Sequence, residues 1–509
     1  MSSSAHAQTV PQREQELVKG LGLTSATTLV MGSMIGSGIF IVSADIARLV
    51  DSPGLLIMAW AVTGFMTITG ALAYGELAAM MPKAGGQYVY LRESLGPLWG
   101  FLYGWTLFLV IQTGTIAAVG VAFGKFLGVF FPSVSSTNWI IHLWKAPPIH
   151  IGPMVLGNMH VGLNTQNLVA IIIIVALTVV NVFGIKTGAA IQNVFTFAKT
   201  AALLGLIIAG ALIFRNPAAV AANFTNFWHV GAGHADLRIA SPFLLVITLL
   251  AVAQVGSLFS ADAWNNVTFT AGEVKNPQRN LPLSLALGTG VVIGLYILAN
   301  FAYLNVLPMH GDPQGASVLA RGIQYATEDR VATAAMIAMF GAAGGALMAA
   351  AILVSTFGCS NGLILAGPRV YYAMAKDGLF FRRAAEVHPK YHTPVNALIV
   401  QAIWTCILCL SGTYGQLLDY IIFAVLVFYI LTILGLFVLR RTRPYAERPY
   451  RAFGYPALPA IYILMAVFID VVLLRYKPQY TWPGLIIVLL GIPVYFLTRR
   501  AAPVASPSD

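Results

Sequence analysis

Residues 31–40 read Met-Gly-Ser-Met-Ile-Gly-Ser-Gly-Ile-Phe inside an apolar stretch. Gly32, Gly36 and Gly38 stand with Ser33 and Ser37 where a membrane-spanning helix should be most hydrophobic. A glycine weakens a helix by about 1 kcal/mol relative to alanine. Three within seven residues invite the backbone to unwind. Freed N–H and C=O groups in lipid cost several kcal/mol each, so a broken helix persists only where it lines a cavity or finds partners. A half-helix that starts there offers amides with partial positive charge, and one that ends there offers carbonyls with partial negative charge. The Gly36 and Gly38 amides, with Ser37, can grip a carboxylate. The carbonyls around Met34 and Ile35 can accept an ammonium. Close helix packing through small residues is the competing explanation of this segment.

A second interrupted segment decides between them. Residues 256–277 carry Ser260, Asp262, Asn265 and Asn266 within an apolar run. Aspartate at a bilayer centre costs at least about 2.5 kcal/mol and faces a cavity or a partner. Carbonyls near Phe259 and Asp262 are further ammonium acceptors. Paired carboxylate and ammonium receptors fit an α-amino acid zwitterion. The Asp262 side chain has two readings: it faces the pocket and favours cationic or polar substrates, or it caps the following half-helix. Lys199, in Val-Phe-Thr-Phe-Ala-Lys-Thr-Ala-Ala, is the third intramembrane group. It either snorkels to the nearby interface or marks a site.

The elements that must position these residues are long and apolar. The chain has 509 residues, 58% hydrophobic and 9% charged, with mean hydropathy +0.79. About twelve stretches reach the roughly 20 residues a span needs: 24–48, 55–81, 97–130, 167–184, 191–214, 242–271, 281–306, 332–366, 394–411, 416–439, 455–475 and 482–498. They are called spans 1 to 12 below. The interrupted ones are spans 1 and 6. Five spans separate their starts, so placement predicts an inverted repeat, and such a matched pair is the best sequence pointer to a transporter's binding site. The expected organisation is a cytosolic tail at 1–23, a first repeat at 24–214, a second at 241–441, spans 11 and 12 at 454–500, and a cytosolic tail at 501–509. No cleavable signal peptide is expected, because residues 1–23 are polar.

The net charge of +11 is not read as a nucleic-acid signal. With the N-terminus inside, nineteen of the 29 Lys and Arg residues fall in inner loops. That bias predicts both termini in the cytoplasm and a multi-pass protein of the inner (plasma) membrane. Cys359, Cys406 and Cys409 lie within spans, so no structural disulfide is expected. No Cys/His spacing suggests a metal, no cofactor motif is present, and no hydrolytic triad is recognisable. Glu76 and Glu273 sit near the inner ends of spans 2 and 6 and should pair with Lys or Arg. Asp470 in span 11 reads as structural or as part of a helix interface.

These residues carry a family resemblance. The Gly36-Ser37-Gly38-Ile39-Phe40 run, Tyr74-Gly75-Glu76-Leu77 and Pro82-Lys83-Ala84-Gly85-Gly86-Gln87-Tyr88 resemble the amino acid–polyamine–organocation (APC) superfamily. Phe259 through Asn265, then Glu273-Val274-Lys275-Asn276-Pro277, with Asn361-Gly362, Arg369 and Asp377-Gly378, is similar to its L-type amino acid transporter branch. The resemblance covers nearly the whole chain. It implies an all-α membrane protein with a LeuT-type fold: two five-helix inverted repeats with discontinuous helices 1 and 6, plus two further helices. It implies alternating access, with Phe259 as a gate over the substrate. It also implies a role for Lys199: sodium-independent members carry a Lys on this helix where relatives bind sodium, within reach of the span 1 carbonyls and of Ser355.

Two departures are informative. The animal L-type proteins carry an outer-loop Cys that bonds an ancillary glycoprotein, and residues 131–166 contain none. No disulfide-linked ancillary subunit is therefore expected, and the protein is read as a monomer or weak homodimer. The branch often has Gly-Gly before the Trp of span 6, where Asp262-Ala263 stands here. The sequence thus predicts a sodium-independent exchanger of neutral amino acids. A proton-coupled symporter and a carrier of cationic amino acids or polyamines are the alternatives. A channel or a membrane enzyme fits less well, for want of pore rings or acid–base clusters.

Overall fold

A computed structural model describes residues 17–501, apart from 146, 148, 152–153, 157–159, 232–238, 240 and 411–413. Most of both expected tails, 1–16 and 502–509, lies outside the described residues. Among the described residues, eleven helices are long and apolar enough to cross a membrane. The remaining span, Val395–Cys409, has 15 residues, about 22 Å of helix. That is short of a full crossing, so eleven long spans plus one short one replace a uniform set of twelve. The chain is a multi-pass membrane protein.

Both expected interruptions are present. Span 1 is two helices, Leu23–Met34 and Gly38–Val50, separated by Ile35-Gly36-Ser37. Span 6 runs as a helix over Pro242–Ser260. It resumes only as the single turn Asn266–Phe269 and a 3-10 turn at Ala271–Glu273. Ala263 sits between them with φ +64°, a left-handed conformation that costs a non-glycine residue energy and persists only where surroundings fix it. Span 8, Val331–Ala366, has its own kink at Gly341, with φ +67° and ψ −160°.

The connection between spans 3 and 4 contains strands that the all-α reading did not anticipate. Trp139–Lys145 pairs antiparallel with His160–Asn164, and Ile149–Ile151 with Met154–Leu156. The first strand is rich in aromatic and β-branched residues, the types a pleated surface favours. It lies outside the bundle, and its residues are mostly exposed.

Polar residues hold the end of the bundle nearest Leu21. Glu273 and Arg369 form a bidentate pair at 2.8 and 3.1 Å, with both side chains essentially inaccessible. Glu76 accepts from Arg440 at 2.6 and 2.9 Å, from Arg448 at 3.2 Å and from the Ala452 amide at 2.7 Å. Both glutamates thus sit in ion pairs, as their places in the chain predict. The N-terminal segment joins the same cluster: Gly20 and Leu21 donate to Glu273 O, and Lys275 donates to Leu21 O. Span 6 is thereby tied to the segment that enters span 1. Asp470 is buried, and its Oδ1 has no hydrogen-bond partner.

Removing one member of a buried pair leaves the other charge uncompensated, a cost of about 3–5 kcal/mol. Arg369→Met should therefore lower the unfolding midpoint of the detergent-solubilised protein sharply. The double change with Glu273→Gln should recover much of the loss. A single change costing under about 1 kcal/mol would show that the pair does not fasten this end.

Candidate functional site

The site is built from the break of span 1 outward. After Met34 the backbone leaves the helix at Ile35 (φ −74°, ψ 87°). Ile35 N donates to Met31 O and Gly36 N to Met34 O at 2.8 Å. The carbonyls of Gly32, Ser33, Ile35 and Gly36 are taken by side chains of spans 5 and 8. Lys199 Nζ donates to Gly32 O at 2.6 Å, Ile35 O at 2.5 Å and Ser355 O at 3.4 Å. Ser355 Oγ lies 3.1 Å from Ile35 O and 3.0 Å from Gly36 O. Cys359 Sγ donates to Ser33 O at 3.1 Å. Lys199 is 1% exposed, so it does not snorkel. Taking an ammonium out of water is costly, and charge-assisted bonds to carbonyl dipoles offset that cost.

The two breaks touch. A Cβ built on Gly38 would stand 2.2 Å from Ser260 Oγ and 2.9 Å from Ser260 Cα. Glycine is required there for helix-to-helix approach, not only for approach to a ligand. Ser260 Oγ itself donates back to Gly256 O at 2.8 Å. Tyr296, on span 7 (Pro277–Val306), lies across the junction with its hydroxyl 2.9 Å from Met34 O and 3.0 Å from Ser260 O. The single phenol proton is thus within hydrogen-bond reach of the carbonyl ends of both half-helices and donates to one at a time. Trp60 packs against it edge to face at 5.4 Å. Sequence reasoning missed Tyr296. Its signal was a face of span 7 carrying Thr289, Tyr296, Asn300 and Tyr303 at helical spacing, all buried.

Asp262 lies within the break of span 6, between Ser260 and Asn266. Its Oδ1 accepts from Tyr429 of span 10 at 2.5 Å. The N-cap residue of the following turn, Asn265, makes no side-chain cap bond, and the Asp262 carboxylate also accepts from the Ala263 backbone amide, so both readings of Asp262 stand. It forms no ion pair among the described residues. Asp262 lines two adjoining cavities. One, with room for about one water molecule, also meets Tyr103, Gln112, Thr115, Asn266 and Tyr429. The other, of similar size, meets Thr67, Trp264, Leu426 and Tyr462. Residues 34–38 and Phe259 line neither. Phe259 is buried in the last turn before the break.

The structure thus brings Met34, Ile35, Gly36, Lys199 and Ser355 into one hydrogen-bonded cluster, with Gly38 and Ser260 in contact beside it. Asp262, within the break of span 6, belongs to a second region with two small voids. A model of the family described as amino acid permease matches residues 21–496. The chain belongs to the amino acid permease family. Similar proteins cover nearly its whole length. The serine/threonine exchanger SteT of Bacillus subtilis is 29% identical over 486 residues, 95% of this chain and 98% of that one. The b(0,+)-type amino acid transporter 1 of Homo sapiens is 28% identical over 489 residues, 94% and 88% of the two chains. The human large neutral amino acids transporter small subunit 2 is 30% identical over 482 residues, 94% and 80%. This permease is accordingly read as a transporter rather than an enzyme, and its helical architecture with paired breaks agrees with the LeuT-type expectation.

The contact between the breaks yields a test. Gly38→Ala should destabilise the permease by about 1–3 kcal/mol through overpacking. Adding Ser260→Gly, which removes the two nearest atoms, should recover part of that. Gly36→Ala should cost less, because its nearest neighbour is Cys359 Sγ at 3.0 Å. Unfolding midpoints in detergent would rank the three, and a neutral Gly38→Ala would refute the close contact.

Proposed function

We propose that this permease is a sodium-independent exchanger of neutral amino acids working by alternating access. The observation that carries the reading is the Lys199 ammonium on the carbonyls of Gly32, Ile35 and Ser355. A fixed cation there stabilises the broken backbone without a metal ion, and its positive charge disfavours a second cation nearby. The zwitterion is then held by backbone groups of residues 34–38 and 259–262, with Ser37 and Ser260 at its edge and Phe259 as the gate. The relatives named above include an exchanger, which supports exchange over uniport.

Asp262 supports a second reading, a carrier of cationic amino acids or polyamines. Its carboxylate lines two small voids and has no cationic partner among the described residues. Proton symport, with Lys199 or Asp262 as carrier, is the other alternative. The bias of Lys and Arg toward one set of loops supports an inner-membrane protein with both termini in the cytoplasm. The cysteines at 359, 406 and 409 are free and lie within spans, which supports action without a disulfide-linked ancillary subunit, as a monomer or weak homodimer.

Counterflow into proteoliposomes tests the main reading. Labelled neutral amino acids should accumulate against internal unlabelled substrate at the same initial rate with sodium, with choline, and with or without a pH gradient. Stimulation by sodium would overturn the role given to Lys199. Accumulation driven by a pH gradient into empty vesicles would select the symport alternative.

A further inference from the structure

Spans 5 and 8 part to leave an open apolar groove of about 620 Å³. Ala202, Gly205 and Ala209 form one wall, and Met336, Phe340 and Leu347 belong to the other. The span 5 wall follows one helix face for about 10 Å, or about two-thirds of one leaflet of a roughly 30 Å core. Ala202 stands three residues past Lys199, and Ala351, also in the groove, stands four before Ser355. The groove therefore starts one helical turn from the Lys199–Ser355 contact. It runs from there toward the Ile213 end of span 5.

Both walls leave regular helix near the far end of the groove. Span 5 ends in a π-turn at Ala209–Ile213. Span 8 breaks at Gly341, whose φ of +67° and ψ of −160° lie in a region that only glycine enters without strain. A Cβ on Gly341 would meet nothing within 4 Å, so this glycine serves backbone shape and not close packing. Beside the break, the Phe340 ring meets Phe214 edge to face at 4.5 Å, which bridges the walls at the mouth. Neither irregularity belongs to the breaks of spans 1 and 6.

The lining selects the occupant. It carries no polar side chain, so it cannot hold a zwitterion, and an apolar cavity stays dry. Leu204, Ile208, Leu212 and Leu347 are exposed beside it, which makes the groove continuous with the surface that faces lipid. Arg215, two residues past the π-turn, is exposed and makes no side-chain bond among the described residues. Its guanidinium matches a phosphate. We propose that the groove binds an acyl chain of a phospholipid whose phosphate pairs with Arg215, and that the chain braces span 5 against span 8 beside Lys199 and Ser355. In the orientation proposed above, this lipid belongs to the outer leaflet. An unfilled gap forfeits dispersion contacts on both walls, and a flexible chain restores them.

The test is photolabelling of the full chain in phosphatidylglycerol vesicles doped with the same lipid carrying a diazirine on one acyl chain. Residues 202–209 and 336–351 should be labelled about tenfold more than the exposed face of span 4, a preference of about 1.4 kcal/mol. That control face carries Ile172, Val175 and Val179. Gly205→Leu fills the groove, and a Cβ there meets nothing within 4 Å, so the variant should fold. It should lose the groove labelling. Its unfolding midpoint in lipid-free detergent should rise toward that of the wild type with added phosphatidylglycerol. Ala343→Leu repeats both measurements from span 8. Arg215→Gln should lower the labelling severalfold without moving the lipid-free midpoint. Label spread evenly over the lipid-facing spans overturns the proposal, as does a Gly205→Leu midpoint that still responds to phosphatidylglycerol like the wild type. Unchanged labelling of Arg215→Gln overturns the phosphate pairing. Two chains cross-linked through span 5 would overturn the lipid in favour of a second copy. None of these readouts uses transport, so they stand apart from the exchange reading.

Discussion

An ammonium held on backbone carbonyls is the constraint on which the middle of this protein depends. Breaking span 1 in an apolar surrounding exposes acceptors that have neither water nor helix to satisfy them. Lys199 meets two of them and adds Ser355 O from span 8. Three elements distant in sequence are thereby fixed at one point. A neutral donor would make weaker bonds, and a snorkelling lysine would make none of these. The local weakness written into Gly32, Gly36 and Gly38 becomes stable structure only through a charge that would be costly anywhere else in the bilayer.

The two breaks then act as one unit. Gly38 lets Ser260 approach to a distance that no side chain on residue 38 permits, and Tyr296 reaches a carbonyl from each side. Lower down, Leu21 and Glu273 join the segments that lead into spans 1 and 6. Spans 1 and 6 are fastened to each other at the break and again at the Arg-rich end. These polar contacts add to the packing of Gly38–Val50 along Pro242–Ser260, where Gly256 meets Val42. Such contacts have discrete alternatives, as a switching element requires.

Much of this was legible in the sequence, for identifiable reasons. Glycines in a span, and an aspartate with asparagines in a span, violate the rule for membrane helices so plainly that both breaks could be placed to within a few residues. Lys199 was legible for the same reason, as were the partnerships of Glu76 and Glu273. Tyr296 was not, because a buried tyrosine in an apolar helix is ordinary until its hydroxyl is located. The role of Gly38 was only half legible. Composition calls for a glycine, but whether the space beside it holds a ligand or Ser260 depends on helix packing. The strands between spans 3 and 4 escaped notice because a short run of aromatic and β-branched residues beside a dozen apolar helices reads as one more loop. The meeting of Tyr103 with Asn266 was beyond sequence, since span 3 and the turn after the break of span 6 come together only in three dimensions.

A charge bound to the chain differs from a charge in solution in one further respect: it is never released. A dissociable sodium ion that crossed with substrate would carry its charge through the field, worth about 2.3 kcal/mol for each 100 mV. Lys199 makes no such crossing, being a permanent part of span 5. In the exchange proposed above, with a tethered cation and zwitterions as cargo, each swap moves no net charge. The membrane potential then has no purchase on the cycle, and the direction of flux is left to the concentrations of amino acids on the two sides. Economy of energy follows as well, since a cell spends no ion gradient on each turnover and loses one solute for each it gains.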